Sequence, residues 1–209
     1  MSKTLRLEPG SFPPEQTLLE VAEAVGQAKI VAFPTETVYG LGTTALIKAA
    51  VRRIYEIKRR DCLKPLPILV HSAEAVRRWA CWTPAAEALA GRFWPGPLTI
   101  ALRPTKEGRR LTFAEYPTVA FRVPNHPLLL RLLAASGVPW ASTSANRSGL
   151  PELTDGEQVA AEFGAEVEYV LAAGRTAGGI STVVDASGET VRVLREGNIS
   201  SRQIEESFT

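Results

Sequence analysis

The chain has 209 residues, of which 45% are hydrophobic and 22% charged, as expected for a single globular domain. Its formal net charge of +2 is too small to indicate a nucleic-acid partner by itself. Charged residues interrupt the longest apolar stretches, and the two cysteines, Cys62 and Cys81, lack the spacing of a zinc site. We therefore expect one domain over residues 1–209 in a soluble, cytoplasmic protein that contacts no membrane and holds no tightly bound metal.

Hydrophobic periodicity predicts helices and strands that alternate along the chain. The helical pattern covers residues 15–27, 49–58, 72–80, 84–93, 126–136 and 155–163. Short apolar runs predict strands at 29–33, 66–70, 98–102, 119–123, 138–142, 169–172, 182–185 and 191–194. This alternation predicts an α/β fold with a largely parallel or mixed sheet, in which ligands usually bind at the loops that follow strands.

The first candidate loop covers residues 34–42, with the sequence PTETVYGLG, and follows the strand predicted at 29–33. Thr35 and Thr37 offer hydroxyls to a polar ligand, although a glycine-containing turn is the simpler interpretation. Residues 40–45 also match the GxGxxA pattern of dinucleotide-binding turns. Because six residues separate the strand from the first glycine, this match is weak.

Cations cluster at the end of the helix predicted at 49–58. Lys58, Arg60 and Lys64 lie close together there, and the chain has no GxxxxGK[ST] loop that would bind a nucleotide phosphate. Lysine and arginine side chains suit phosphate oxygens, but cations at a helix C-terminus also stabilise the helix without any ligand. The sequence leaves both interpretations open.

Arg122 stands in an otherwise apolar predicted strand, on the same face as Thr118. A buried guanidinium needs an anionic partner, which is either a protein carboxylate or the carboxylate or phosphate of a ligand. Ser181 follows a glycine-rich stretch, and Arg195 ends the last predicted strand, where each alone would indicate only a surface loop.

Residues 142–149, with the sequence STSANRSG, follow another apolar strand and collect hydroxyl and amide groups without an acidic side chain. Such a loop is typical of an anion cradle, and Thr154 is predicted to cap the helix that comes next. Together the candidate loops supply donors and cations but no evident general base, nucleophile or metal cluster. This set of groups favours nucleotidyl or phosphoryl transfer, in which positioning and charge stabilisation dominate.

The motifs PTETVYGLG, KxR (Lys58 and Arg60), FWPGPLT, TVAFRVP, STSANRSG, STVVD and VLREG follow one another along the chain. In this order they resemble the YrdC/TsaC threonylcarbamoyl-AMP synthases, from about residue 15 to 200. The resemblance implies the short, single-domain form of that family. It also implies an open, twisted, mixed α/β sheet flanked by helices, with a positively charged concave surface.

Members of the family condense L-threonine, bicarbonate or CO₂, and ATP into L-threonylcarbamoyladenylate and release pyrophosphate. The resemblance therefore implies a nucleotidyltransferase whose product serves the t6A modification of the adenosine next to the tRNA anticodon. Mg²⁺ would accompany ATP and bridge its phosphate oxygens. The implied macromolecular partners are tRNA on the basic concave surface and the downstream threonylcarbamoyl-transferase machinery.

The resemblance also assigns roles to residues. The implied catalytic residues are Lys58, Arg60, Ser144 and Asn146. The implied ATP-binding residues are Lys58, Arg60, Lys64, Thr118, Ser144, Asn146 and Arg195. The implied threonine-binding residues are Thr35, Thr37, Arg122, Ser142 and Ser181, with Arg122 on the substrate carboxylate. The chain departs from the usual pattern at Asp61 and Lys64, where the family often has proline and asparagine, and Asp61 could pair with a neighbouring arginine.

Two further hypotheses remain beside this one. The hydrogenase-maturation branch of the same fold adenylates a different carbamoyl compound, but it does so in much longer chains with zinc fingers. An RNA-binding module without catalysis would use the same basic residues, and its affinity would fall steeply with salt.

Overall fold

The computed structural model describes residues 3–111 and 116–208. Within them, the strands are Lys3–Arg6 (β1), Val31–Phe33 (β2), Gly40–Thr44 (β3), Ile68–Leu69 (β4), Leu98–Leu102 (β5), Val119–Arg122 (β6), Trp140–Ser144 (β7), Tyr169–Ala172 (β8), Thr182–Asp185 (β9) and Arg192–Arg195 (β10). The helices are Glu15–Gly26 (α1), Lys48–Lys58 (α2), Ala73–Val76 (α3), Pro84–Phe93 (α4), Pro127–Ser136 (α5), Gly156–Phe163 (α6) and Ser201–Glu205 (α7), with a 3₁₀ turn at Gly108–Leu111.

All the described strands join one sheet in the order β1-β8-β2-β3-β7-β4-β6-β5-β9-β10. The sheet contains parallel pairs, such as β4 with β6 and β5 with β9, and antiparallel pairs, such as β3 with β7 and β5 with β6. The sheet is therefore mixed and flanked by helices, as the sequence predicts. No described helix is long and apolar enough to cross a membrane.

Hydrophobic side chains pack in two clusters. In the smaller cluster, Leu18 of α1 and Leu132 of α5 pack with Phe33 and Trp140 of the sheet. The larger cluster includes Ile54 of α2, Leu89 of α4 and Phe163 of α6 together with strand residues. Because both clusters use strand residues, the inner strands are buried, which explains why β2 and β8 appear in the sequence as continuous apolar runs.

Strand β3 corrects the interpretation of residues 34–42 as one loop before a helix, and with it the dinucleotide hypothesis. Gly40–Thr44 is fully buried and pairs antiparallel with β2 and β7. Its glycines are packing residues, because a Cβ on Gly40 or Gly42 would lie 2.8 Å from the ring of Phe33. Small residues without apolar alternation gave no strand signal, since only the pairing with neighbouring strands makes this segment extended.

Other elements differ in their bounds or were missed. The strands predicted at 66–70 and 138–142 are observed at Ile68–Leu69 and Trp140–Ser144, and helix α3 covers only part of the predicted 72–80. β1 and α7 were not predicted, because each contains a single hydrophobic residue and therefore shows no periodicity. The cap of α6 is Asp155 instead of Thr154, since the Asp155 carboxylate accepts from the backbone N–H of Glu157 and Gln158.

Candidate active site

A cavity of about 320 Å³ lies against the middle strands of the sheet. It is lined by the loop after β2, the segment after α2, the start of β6 and the ends of β7 and β10. These segments are distant in sequence and meet only because the strand order brings them together. The predicted site residues that line the cavity are Thr35, Thr37, Arg60, Thr118, Arg122, Ser142, Ser144, Ser181 and Arg195.

Two threonine hydroxyls are held rigidly in the loop after β2. Thr35 Oγ1 donates to the carbonyl oxygen of Val38 at 2.7 Å and accepts from the backbone N–H of Thr37 at 3.1 Å. The two hydroxyl oxygens lie 2.9 Å apart. Because the turn satisfies part of their hydrogen-bonding capacity, both hydroxyls reach the cavity wall in defined positions.

Arg122 ends strand β6 and is 8% exposed. Its Nη2 lies 2.9 Å from Glu36 Oε1 and donates to Thr37 Oγ1 at 3.2 Å, while Nε donates to the carbonyl oxygen of Gly96 at 3.3 Å. The FWPGPLT motif thus supplies a carbonyl that holds the guanidinium. The salt-bridge interpretation of Arg122 is confirmed, and the same side chain also lines the cavity.

Arg195 and Ser181 form a second polar group on the wall. Arg195 Nη2 donates to the Ser181 carbonyl at 2.7 Å and to its Oγ at 3.1 Å, and Thr99 Oγ1 donates to Ser181 Oγ at 3.0 Å. Burial and the nearby positive charge of Arg122 lower the pKa of Arg195 from its ordinary value. An anion in the cavity would act in the opposite direction and favour the charged form of Arg195.

Lys58 does not line the cavity, since it is 2% exposed and lies beneath the turn that follows β7. Its Nζ donates to the carbonyl oxygens of Ser144 and Asn146 at 2.5 and 2.7 Å, and to Asn146 Oδ1 at 2.8 Å. Burial, together with the charge of Arg60, lowers the Lys58 pKa to about 8. Residues 144–146, which we call the SxN motif, form this turn. Lys58 therefore links the KxR and SxN motifs by holding the SxN turn.

Within that turn the side chains are also joined. Ser144 Oγ donates to Asn146 Oδ1 at 2.6 Å, and Asn146 Nδ2 donates to the carbonyl oxygen of Leu150 at 2.5 Å. Ser144 reaches the cavity, whereas Asn146 is 8% exposed and supports the turn from behind.

The remaining cations of the KxR region differ in exposure. Arg60 lines the cavity, and its buried Nε has no hydrogen-bond partner within the described residues. Lys64 is exposed and outside the cavity lining, and its backbone carbonyl accepts from the Tyr55 hydroxyl at 2.8 Å. The Asp61 carboxylate accepts from the backbone N–H of Leu63 at 2.9 Å, which shapes the turn between Arg60 and Lys64.

Sequence reasoning missed two acidic residues. Glu36 forms the ion pair with Arg122. Its position between Thr35 and Thr37, which both line the cavity, was the sequence signal that could have indicated a place near the site. Glu152 lines the cavity and lies close enough to influence Lys58 and Arg195 electrostatically. No group of three or more His, Cys, Asp or Glu side chains able to hold a metal occurs among residues 3–111 and 116–208.

Comparison with known families identifies the group to which this site belongs. The family model Sua5_yciO_yrdC, described as "Telomere recombination", matches residues 23–197. The chain belongs to the Sua5/YciO/YrdC family. The resemblance of its motifs to YrdC/TsaC proteins is thereby confirmed.

Two relatives, one longer than this chain and one of similar length, are named threonylcarbamoyl-AMP synthase. The chain is 42% identical over 183 residues to a threonylcarbamoyl-AMP synthase of Pyrococcus abyssi, which covers 87% of this chain and 54% of the relative. It is 34% identical to the threonylcarbamoyl-AMP synthase of Chromohalobacter salexigens, covering 85% of this chain and 99% of the relative. The chain spans about half the length of the Pyrococcus and Bacillus subtilis relatives.

A solved structure extends the comparison to three dimensions. The crystal structure of P. abyssi Sua5 complexed with L-threonine superposes with a TM-score of 0.89 and 38% sequence identity. The match covers 99% of this chain and 60% of the Pyrococcus chain. The open mixed α/β sheet is therefore the Sua5-type fold.

Proposed function

We propose that this chain is a threonylcarbamoyl-AMP synthase, which joins L-threonine, CO₂ or bicarbonate, and ATP into L-threonylcarbamoyladenylate and pyrophosphate. The observation that carries the proposal is the likeness of nearly the whole chain to a Sua5 solved with L-threonine. The proposal is supported by a cavity that Arg122, Ser181 and Arg195 line together with the protein residues Thr35 and Thr37. The short relative from Chromohalobacter, which the chain covers almost completely, carries the same name.

The amino-acid subsite lies at Arg122 in this proposal. The guanidinium of Arg122 binds the carboxylate of threonine through Nη1, which none of its contacts with Glu36, Thr37 and Gly96 uses. Thr35, Thr37 and Ser181 supply hydroxyls to the rest of the amino acid, and Ser142 contributes from β7. Three protein contacts already orient Arg122, so the subsite is ordered before substrate binds.

The nucleotide subsite extends from Arg122 toward the KxR and SxN motifs. Arg60 and Arg195 face the triphosphate, Ser144 lies beside it, and Lys58 holds the turn with Asn146. Thr118 lines the same cavity, whereas Lys64 would reach MgATP only from the rim. Mg²⁺ enters as part of MgATP, the form in which triphosphates are used.

The reaction has two bond-forming steps. The neutral amine of threonine attacks the carbon of CO₂ and releases one proton to solvent, which gives an N-carboxylate. With bicarbonate instead, the amine proton leaves together with the hydroxide of bicarbonate as water. One oxygen of this N-carboxylate attacks the α-phosphorus in line, and the bond from that phosphorus to the bridging oxygen breaks. Its electron pair leaves with pyrophosphate, whose growing charge is stabilised by Arg60 and Arg195.

Pyrophosphate release tests this proposal. The assay combines the chain with MgATP, with L-threonine and bicarbonate each present or omitted, and with serine in place of threonine. Release that requires both substrates, and is slower with serine, supports the synthase. A folded chain that releases none in any combination contradicts it, and steeply salt-dependent RNA binding would then favour the module without catalysis.

We further propose that the adenylate passes to a threonylcarbamoyl-transferase acting on tRNA in the cytoplasm. A mixed anhydride of a carbamate and a phosphate is reactive toward amines, so the product needs a dedicated acceptor. Transfer of label from ¹⁴C-threonine to tRNA, with and without a purified transferase, measures this step.

A further inference from the structure

A carboxylate stands directly behind the amino-acid subsite. Thr35 and Thr37 line the cavity, but Glu36 between them does not. Both Glu36 carboxylate oxygens are buried and accept no hydrogen bond of good geometry within the described residues. Oε1 lies 2.9 Å from Nη2 of Arg122, with the two side chains 17% and 10% exposed.

Arg122 and His126 lie near the Glu36 carboxylate. His126 senses the charge of Glu36, but burial has the larger influence and lowers the His126 pKa from its ordinary value. The Glu36 carboxylate is paired with Arg122. Arg195 adds a positive charge nearby, which the proposed function assigns to the nucleotide phosphates.

A charge at this place acts differently on different ligands. Glu36 repels a carboxylate that binds to Arg122, and it attracts an ammonium on the next carbon of the same ligand. For a zwitterionic amino acid the two effects largely cancel. For a simple anion only the repulsion remains, and partial burial keeps it from being screened by water and salt.

We propose that Glu36 is a specificity-determining residue that makes the Arg122 subsite select amino acids over simple anions. The inference rests on the proposed function, because it takes Arg122 as the group that binds the substrate carboxylate. In a chain that must hold a triphosphate in the same cavity, an Arg122 without this counter-charge would also attract phosphates, hydroxy acids and bicarbonate.

The test compares threonine with 2,3-dihydroxybutyrate, which is threonine with its amine replaced by a hydroxyl. The inhibition constant of 2,3-dihydroxybutyrate is divided by the KM of threonine, both from pyrophosphate release. Glu36→Gln removes the charge and keeps the size, and we expect this ratio to fall by about tenfold or more. Glu36→Asp keeps the charge, and Glu36→Asn is its neutral counterpart of equal size. We expect the Asp variant to keep the ratio that the Asn variant loses.

A loosened fold would weaken the binding of both ligands together. The ratio of the inhibition constant to the KM therefore separates a change in selectivity from structural damage. Glu157→Gln removes an exposed ion pair of the same length, Arg6–Glu157 at 2.9 Å, and should leave the ratio unchanged. A ratio that stays constant in a folded neutral variant overturns the inference. If Glu36→Gln fails to fold, the Asp and Asn pair gives the same decision.

Calorimetric titration of both ligands separates the failure of this inference from that of the proposed function. A wild-type chain that binds threonine but releases no pyrophosphate refutes the synthase proposal, while its ratio of dissociation constants still tests Glu36. A wild-type chain that binds 2,3-dihydroxybutyrate as tightly as threonine contradicts the selectivity directly.

Discussion

Replacing Lys58 by methionine removes the ammonium that holds the SxN turn. The substitution keeps an unbranched side chain, shorter by the terminal nitrogen, and deletes three hydrogen bonds, to the carbonyl oxygens of Ser144 and Asn146 and to Asn146 Oδ1. Two of these acceptors keep another donor, because the Ser144 carbonyl accepts from Asn146 N at 3.1 Å and Asn146 Oδ1 accepts from Ser144 Oγ. The Asn146 carbonyl loses the donor that Lys58 provides.

The expected cost follows from this difference among the acceptors. An orphaned buried carbonyl costs about 1–3 kcal/mol, and the loss of a second donor at the other two acceptors costs less, about 1 kcal/mol each. Burial of the ammonium is itself unfavourable, as its pKa of about 8 shows, so part of the loss is offset. We expect Lys58→Met to lower the free energy of unfolding by about 2–4 kcal/mol.

Urea unfolding at pH 7 measures this value, and titration with MgATP measures the effect on the site. We expect weaker nucleotide binding as well, since the turn that presents Ser144 loses its support. Lys48→Met, at the exposed start of the same helix, is the matched control and should change neither quantity. A loss of less than about 0.5 kcal/mol with unchanged MgATP binding would refute the reasoning.

The other predictions concern charge and packing. Pyrophosphate release should decline above about pH 8, where Lys58 loses its proton. The free energy of unfolding should instead rise as the pH rises from about 8 to 10.5, because the unfolded chain keeps that proton longer than the folded chain. An unchanged release rate up to about pH 10 would exclude this role of Lys58. Arg122→Ala should abolish threonine-dependent release and lower the free energy of unfolding, because it leaves the buried Glu36 carboxylate without its partner. Adding Glu36→Ala should restore the free energy of unfolding but not the activity, as urea unfolding and the pyrophosphate assay would show. Gly42→Ala should cost about 1–3 kcal/mol in urea unfolding, and Phe33→Leu in the same chain should recover part of it; simple additivity would contradict the contact.

Many residues that line the cavity were predictable because they lie in short motifs. Hydroxyls, amides and arginines that follow apolar strands indicated an anion site, and their order along the chain resembled one family. Arg122 illustrates the limit, because the sequence allowed either an ion pair or a ligand contact. The structure shows a side chain that pairs with Glu36 and also lines the cavity.

Lys58 illustrates a different limit. Its motif predicted a cation that faces phosphate, but the sequence does not report which way a side chain points at the end of a helix. The last turn of α2 buries Lys58 beneath the SxN turn, while Arg60 reaches the cavity. The burial of Lys58 depends on Ser144 and Asn146, which lie 86 and 88 residues away in the sequence, so no local pattern reports it.

The sequence by itself determined the α/β class, the longer helices and central strands, and the set of chemical groups at the site. Periodicity and composition are local, and each of these features is decided within about ten residues. Only the tertiary structure decided that Gly40–Thr44 is a central strand, that Glu36 balances Arg122, and that Lys58 holds a turn. These three depend on contacts between distant segments, whose free energy comes from pairing and burial and leaves no mark on local residue patterns.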